Sequence, residues 1–413
     1  MSTSTALDPA RLDFISSEHY EANGYPFREW AWLRRHDPVH WTEHADYEPF
    51  WAIAKHADIT WLSTQPRFFL NAPRLAVFNR NVPPPPESTS RHLLNMDPPD
   101  HGRYRNVASK QFTPRAVRAL APKVERITRE VLDLAAAKGS GDFVRDVSAP
   151  ITIAVIAEML GVPASDRALL FRWTNEVIAP EDPEYQREGS TEKTIEGARI
   201  ELFQYFDAMS RERRAKPRED IVSVVANGEV EGKPLNPVEL LSYYLLLVVA
   251  GNETTRNAMT GGLLTFLEHP GEWRKLRQSA ALVDPAVEEV VRWITPVIQF
   301  CRTATRDATL RGKKIRAGES ACLFYASANR DEEVFEDPDV FRIDRIPNRH
   351  IGFGVGEHVC LGAHLARLEL RTVFSQLRTR LEHAELSGPD ERARSSFVGG
   401  IKRAPMRWKI REA

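Results

Sequence analysis

Between Asn236 and His269 the chain spells out one long helix, and this stretch limits the possible folds more than any other. Asn236-Pro237-Val238-Glu239 supplies an N-cap, a proline at the first helical position and an acid at the third. The helix is predicted to run to His269, just before Pro270. That is about 33 residues, or ~50 Å at 1.5 Å per residue. Its centre, Leu245 to Ala250, is apolar on every side, and a helix apolar all round is a buried one. It must cross the interior of the protein.

The rest of the chain has to wrap that helix. Apolar residues recur at helical spacing from Pro114 to Lys138 and from Pro150 to Met159, with further helical stretches around Phe203 and Trp273. Short β-type runs stand at Trp51 to Ala54, Thr309 to Ile315 and Ser320 to Tyr325. The expected class is mainly α with minor β. No repeat, low-complexity block or Gly/Ser linker divides residues 1–413, so one domain is the simplest reading, with an extended loop at the proline run Pro83 to Pro86.

Composition excludes several function classes. With 42% hydrophobic and 27% charged residues the chain is of ordinary globular type, and 57 acidic against 56 basic side chains give no nucleic-acid-binding bias. The first residues, MSTSTALDPARLDFISSEHY, lack the apolar core of a signal peptide and the roughly 20 apolar residues of a membrane span. A cytosolic, unanchored protein is expected. Three cysteines, Cys301, Cys322 and Cys360, are too few for a disulfide framework and irregularly spaced for a zinc site. One of them is free for a private chemical role.

Around the third cysteine stands Phe353-Gly354-Val355-Gly356-Glu357-His358-Val359-Cys360-Leu361-Gly362, leading into a helical pattern from Ala363 to Leu377. Glycines let backbone pass close under a flat group, and a cysteine at a helix N-terminus has its thiolate favoured by the dipole and free amides. The segment resembles the haem-binding loop of the cytochromes P450. The resemblance implies that family's fold, a triangular helical domain with small antiparallel sheets, in which Cys360 is the axial ligand of haem b. A thiolate ligand pushes electron density toward O–O cleavage. The likeness extends from Asp97-Pro98-Pro99-Asp100-His101 to Phe397-Val398-Gly399-Gly400-Ile401-Lys402, with motifs in order.

The long helix contains Ala250-Gly251-Asn252-Glu253-Thr254-Thr255, where a glycine interrupts a helix interior at a cost of about 1 kcal/mol. In the resembling family this segment lies over the distal haem face, with small residues such as Ala250 and Gly251 admitting dioxygen. Its acid–alcohol pair, here Glu253 and Thr254, delivers the protons that dioxygen cleavage needs and an apolar pocket cannot supply. Glu289-Val290-Val291-Arg292 places an acid and a base at i,i+3. The family buries such a pair to brace the ligand loop, usually with an arginine from a downstream Pro-rich stretch. Here that stretch reads Pro338-Asp339-Val340-Phe341, with valine at the arginine's place, leaving Arg345 or His350 as the third member.

Haem carries two propionates that need cations or strong donors. His101 and Arg105, at i,i+4 on a helix opened by Asp97-Pro98-Pro99, join Arg302 and His358 as the family-matched candidates, and Phe353 and Gly362 complete the haem contacts. Leu246 and Leu247 lie one and two turns before the Ala250 and Thr254 face. The family's other substrate-facing segments correspond to Val77 and Phe78, Trp173 and Val177, Val297 and Ile298, and Phe397 and Val398. All are hydrophobic, which favours a lipophilic small molecule as substrate: a steroid, a terpenoid or an alkyl chain. Pro180-Glu181-Asp182-Pro183-Glu184 is expected to be a mobile lid.

The resemblance thus implies a monooxygenase that inserts oxygen into a C–H bond using dioxygen and two electrons. With no flavin or nicotinamide domain in the chain, electrons are expected from an iron–sulfur ferredoxin and its reductase. They would dock on a basic patch of Arg103, Lys110, Arg115 and Arg367. The alternatives are a peroxide-driven oxygenase, whose members usually replace the acid–alcohol pair, and a haem-binding sensor or carrier without turnover.

Overall fold

The computed structural model describes residues 12–77, 80 and 92–412. The proline run at Pro83 to Pro86, and Phe78, lie outside the described residues. The long helix is present as Pro237–Glu268, 32 residues without a break. Asn236 Oδ1 accepts from the backbone N–H groups of Val238 and Glu239, each at 3.0 Å, and the Glu239 carboxylate accepts from Asn236 N at 2.8 Å. This reciprocal cap satisfies three donors that a helix start leaves without partners. The helix stops at His269, and Pro270 opens the next one, Pro270–Gln278.

Two cores meet on this central helix. Leu240, Tyr243, Tyr244, Leu247 and Val248 from its first half pack with Ile153 and Ile156 of the Ala149–Leu160 helix and Leu202 and Phe206 of the Thr191–Ala215 helix. Met259, Leu263 and Phe266 from its second half pack with Val290 and Val291 of the Val283–Ile294 helix and Phe374 of the Ala363–Arg380 helix. Burying a side chain such as Phe266, fully enclosed here, contributes about 2–3 kcal/mol. Residues 250 to 254 belong to neither core and mark the seam between them. The helical pattern from Pro114 to Lys138 divides into Pro114–Ala119 and Ala121–Lys138. Pro122 explains the break, since a proline lacks the N–H a continuing helix needs and is accommodated only in a first turn.

The largest sheet has five strands in the order Val39–His44, Tyr47–Ile53, Ser320–Phe324, Gln299–Ala304, Phe69–Leu70. Only the pairing of Ser320–Phe324 with Tyr47–Ile53 is parallel; the other pairings among described strands are antiparallel. The run from Thr309 to Ile315 resolves into a hairpin, Ala308–Leu310 with Lys313–Ile315. Its turn, Arg311-Gly312, has φ of 47° and 78°, the left-handed pair whose twist matches a two-residue hairpin. No helix among the described residues is long and apolar enough to cross a membrane.

Candidate active site

Cys360 sits at the mouth of the Ala363–Arg380 helix, at the end of a loop folded back on itself. Cys360 N donates to Phe353 O at 2.8 Å, Gly354 N to Ile351 O at 2.9 Å and Val359 N to Gly356 O at 3.2 Å. Gly354 and Gly356 take φ of 74° and 81°. A side chain at Gly356 would also stand 2.5 Å from Ser63 O, so both conformation and close approach require glycine there. Cys360 is an exposed free cysteine. Its protein surroundings raise the thiol above its usual pKa by desolvation, against the Gly362 N–H, Arg105 and Arg367, which all favour the thiolate.

Ala250 is exposed in the middle of the central helix and Thr254 half-exposed one turn on, while Val248, Asn252 and Glu253 beside them are buried. Surface in mid-helix requires an opening in the interior, and it falls at the seam between the two cores. Leu246 is half-buried one turn earlier, and Leu247 is buried beside it.

His101, Arg105, Arg302 and His358 are brought together. The His101 and His358 rings stack with centroids 3.8 Å apart and planes 24° off parallel. Arg105 Nη2 donates to Val359 O at 2.7 Å, next to the cysteine, and Arg302 is buried with Nη1 on Cys301 O at 2.8 Å. Burial, then Arg105, holds His101 down at about 4. Burial, then repulsion from His101, Arg302 and Arg105, holds His358 down at about 2, and its Nε2 is buried with no partner. Two arginines and two histidines crowded together round an unpartnered ring nitrogen form a cradle for anions. A side chain at Gly362 would meet nothing nearer than the Cys360 sulfur, at 3.9 Å. A sulfur ligand, clear space beside it and a cationic rim together fit haem with its two propionates.

Below the loop, Glu289 and Arg292 form a fully buried bidentate pair at 2.7 and 2.8 Å. Arg345 is the third member, with Nε 3.2 Å from Glu289 Oε2, and it also donates to the carbonyls of Glu336 and Val340. His350 goes instead to Glu288, at 3.0 Å. Asn348 Nδ2 and Arg342 N also bond Glu289, so the segment leading into Phe353 is tied to the Val283–Ile294 helix.

The geometry departs from the sequence expectations at several positions. The space left by Gly251 is occupied by Ile156, whose Cδ1 would lie 3.0 Å from an added Cβ, so this glycine serves helix packing. The Glu253 carboxylate turns away from Thr254 to pair with Arg256 and accept from Asn257 Nδ2 at 3.1 Å, and its Oε2 is buried without a partner. The Thr254 hydroxyl donates to Ala250 O at 2.9 Å. Trp173 is a core residue, with Nε1 on Glu201 at 2.8 Å, and Val177 packs at the edge of the same core. Ile298 is fully buried against Phe324 and Trp30; successive residues of extended chain face opposite sides, so Val297, half-buried, is the one turned outward. Val77 is buried and held at both N–H and C=O by the Gln299 amide, each at 3.1 Å. Phe397 packs edge-on against Phe300, and Val398 is buried in a bridge to Val297.

The expected lid is tied down. Asp182 is fully buried with both carboxylate oxygens on Lys402, at 3.0 and 3.1 Å, and Glu184 pairs with Arg403 at 2.7 Å. Of the expected basic patch, Arg103 is committed to Asp100 and Glu231, and Arg367 to Glu288 at 2.7 and 2.8 Å. Lys110 and Arg115 are exposed and have no ion pair among the described residues. The Arg256–Glu253–Asn257 network went unread in the sequence, although its i,i+3 and i,i+4 spacings were visible.

The cytochrome P450 family model matches residues 62–403. A steroid C26-monooxygenase of Mycolicibacterium smegmatis is 38% identical over 97% of this chain and 94% of its own length. A linalool 8-monooxygenase of Pseudomonas putida is 34% identical over 91% and 94%. A Mycobacterium marinum cytochrome P450 solved in complex with pseudoionone is 32% identical and superposes with a TM-score of 0.90 over 98% of this chain and all of its own. With its cysteine loop, cationic cradle and braced helix, the chain belongs to the cytochrome P450 family and is a monooxygenase that carries haem b.

Proposed function

We propose that this enzyme hydroxylates a lipophilic small molecule of the steroid, terpenoid or alkyl-chain class in the cytoplasm. It would use dioxygen and two electrons delivered by an iron–sulfur ferredoxin and its reductase. The observation that carries the reading is the coincidence of an exposed cysteine, a basic cradle and a mid-helix opening in one interior region. Cys360 is the thiolate ligand, and His101, Arg105, Arg302 and His358 hold the propionates, whose charge relieves the repulsion among the four. Bound there, haem b supplies the iron centre at which dioxygen is activated.

This chain's residues do the rest. Ala250, Leu246, Val297 and Phe397 present apolar surface that orients a lipophilic body and excludes bulk water. The Thr254 hydroxyl, held on the Ala250 carbonyl, can turn to hold a proton donor at the opening, and Glu253, once swung away from Arg256, is the buried acid that resupplies it. The substrate class draws support from the relatives, one named for steroids and one for linalool. Lys110 and Arg115, exposed and without an ion pair among the described residues, are the contact for an acidic ferredoxin.

The test is the carbon monoxide difference spectrum of the reduced protein. A strongly red-shifted Soret band, lost in Cys360→Ser, is expected. A histidine-type band in the wild type, or an unchanged one in the variant, would overturn the ligand assignment.

A further inference from the structure

The three cysteines do not share one fate. Cys360 belongs to the ligand loop, whereas Cys301 and Cys322 lie in the neighbouring strands Gln299–Ala304 and Ser320–Phe324, both free and buried. The strands are antiparallel, with Cys301 directly opposite Cys322. Opposed residues in such a ladder alternate between pairs that exchange backbone hydrogen bonds and pairs that do not. Ala304 N donates across to Glu319 O at 3.0 Å, while Cys301 N, three residues earlier, donates the other way, to Leu75 O at 2.8 Å. The cysteines therefore form a pair without mutual backbone bonds, the kind whose side chains come closest. Its Cα atoms are ~4.5 Å apart, within the ~4.4–6.8 Å that a disulfide spans.

The side chains converge as well. Gln299 precedes Cys301 by two residues, on the same face of the strand, and its Oε1 is 3.1 Å from Cys322 Sγ and 3.9 Å from Cys301 Sγ. The same amide holds Val77: Oε1 accepts from Val77 N and Nε2 donates to Val77 O, each at 3.1 Å. One carbonyl oxygen with two lone pairs thus collects two thiols and a backbone amide. The site also borders the cationic cradle, because Cys301 O is the acceptor for Arg302.

We propose that Cys301 and Cys322 are a modification site for hydrogen peroxide, at which a reversible cross-strand disulfide closes and releases the Gln299 hold on Val77. One Sγ–Sγ bond forms; two S–H bonds and the peroxide O–O bond break; two waters leave. The sulfurs lose two electrons and the peroxide oxygens gain them. Peroxide is the by-product of turnovers in which electrons reach dioxygen and substrate is not oxidised, so it arises close to the site.

Closure draws the Cβ atoms from the ~4.5–5.5 Å of an opposed pair to the ~3.5–4.5 Å of a disulfide, and a bond closed under strain is readily reduced again. Once the thiol hydrogens are gone, sulfur and Oε1 no longer attract at 3.1 Å, and the amide must shift. Burial, then the Cys301 thiol beside it, lifts Cys322 well above the usual thiol range. A thiol kept protonated reacts slowly, so the pair records sustained peroxide and ignores a brief pulse.

The experiment exposes the holoenzyme to a molar excess of hydrogen peroxide, alkylates it in denaturant and maps its tryptic peptides with and without dithiothreitol. Cleavage after Arg302 and Arg316 puts the two cysteines on different peptides. These are expected joined, two hydrogens lighter than their sum, and parted by dithiothreitol. On the same samples, hydrogen–deuterium exchange at the Val77 amide should quicken severalfold after peroxide and recover with dithiothreitol. Cys301→Ala should show no such change, although its haem meets the same oxidant. If that variant does not fold, recovery of the wild type under dithiothreitol decides, because a thiol reductant does not undo haem damage. Cysteines that stay alkylatable, or that oxidise singly without joining, overturn the proposal. So does a joined pair with Val77 exchange unchanged, or an equal quickening in Cys301→Ala.

Discussion

Thr254 has two uses for one hydroxyl. Back-bonded to Ala250 O at 2.9 Å it is a satisfied helical threonine; in the proposed relay it would rotate toward the opening and hold a proton donor. The second use matters only during turnover. Thr254→Ala is therefore expected to keep the Soret spectrum and substrate affinity and to lower product formed per electron pair severalfold, with peroxide released instead. Simultaneous measurement of electron donor consumed and product formed checks this, and unchanged coupling would remove Thr254 from the relay. Gly251 is the contrary case. Alanine there gains about 1 kcal/mol of helix propensity and meets only the flexible tip of Ile156, at 3.0 Å, so Gly251→Ala should be nearly neutral. Gly251→Val should cost about 1–3 kcal/mol by overpacking, in part restored by Ile156→Ala, as denaturant midpoints of the three proteins would show. At this scale the sequence was legible where chemistry is local. Cys360 and its glycines sit within ten residues of one another, whereas Ile156, the neighbour that limits side-chain size at Gly251, lies almost a hundred residues away.

The elements are held by a few multiply bonded side chains. Glu289 accepts from Arg292, Arg345, Asn348 Nδ2 and Arg342 N, and Arg345 also caps the carbonyls of Glu336, Asp337 and Val340. Arg345→Met leaves Glu289 short of a counter-charge and takes one donor from each of three carbonyls, of which Asp337 O keeps Val340 N–H and Val340 O keeps Arg292 Nη2. It should cost about 3–5 kcal/mol, seen as a lower unfolding midpoint and a reduced haem-to-protein ratio on purification. Element boundaries followed closely from the chain, because caps and prolines are local signals: Asn236, Pro237 and Pro270 delimit the central helix as expected. The choice between Arg345 and His350 did not follow. Both stand at suitable separations, and only the fold shows that Glu288 claims the histidine.

Across the whole molecule, acid sensitivity follows from the same layer. Burial alone would raise the Glu288 carboxyl, but Arg367 and His350 outweigh it and hold the group at about 2, against an ordinary 4.5. Its contribution is complete above 4.5, where folded and unfolded chains are both ionised. As pH falls toward 2 the unfolded chain takes up the proton first and the contribution is lost. Between about pH 5 and pH 3 the wild type should lose about 1 kcal/mol more than Glu288→Gln, the ~1.8 kcal/mol of the full shift being reduced by partial exposure. Urea midpoints at several pH values measure it. The proposed electron-donor face allows a separate check: Lys110→Glu with Arg115→Glu should raise the KM for an acidic ferredoxin severalfold, less so at high salt, and leave the carbon monoxide spectrum unaltered.

Long-range ion pairing was the least legible part of the chain. The Pro180–Glu184 segment reads as a loose loop until Asp182 is seen fastened to Lys402, more than two hundred residues on. The Gln299 amide bears on another property. By giving one N–H and one C=O partner to Val77, it fixes that backbone to the sheet much as a neighbouring strand would, through a side chain and with no demand on the identity of later residues. Substitutions, insertions and deletions after Val77 can accumulate without moving the wall behind it.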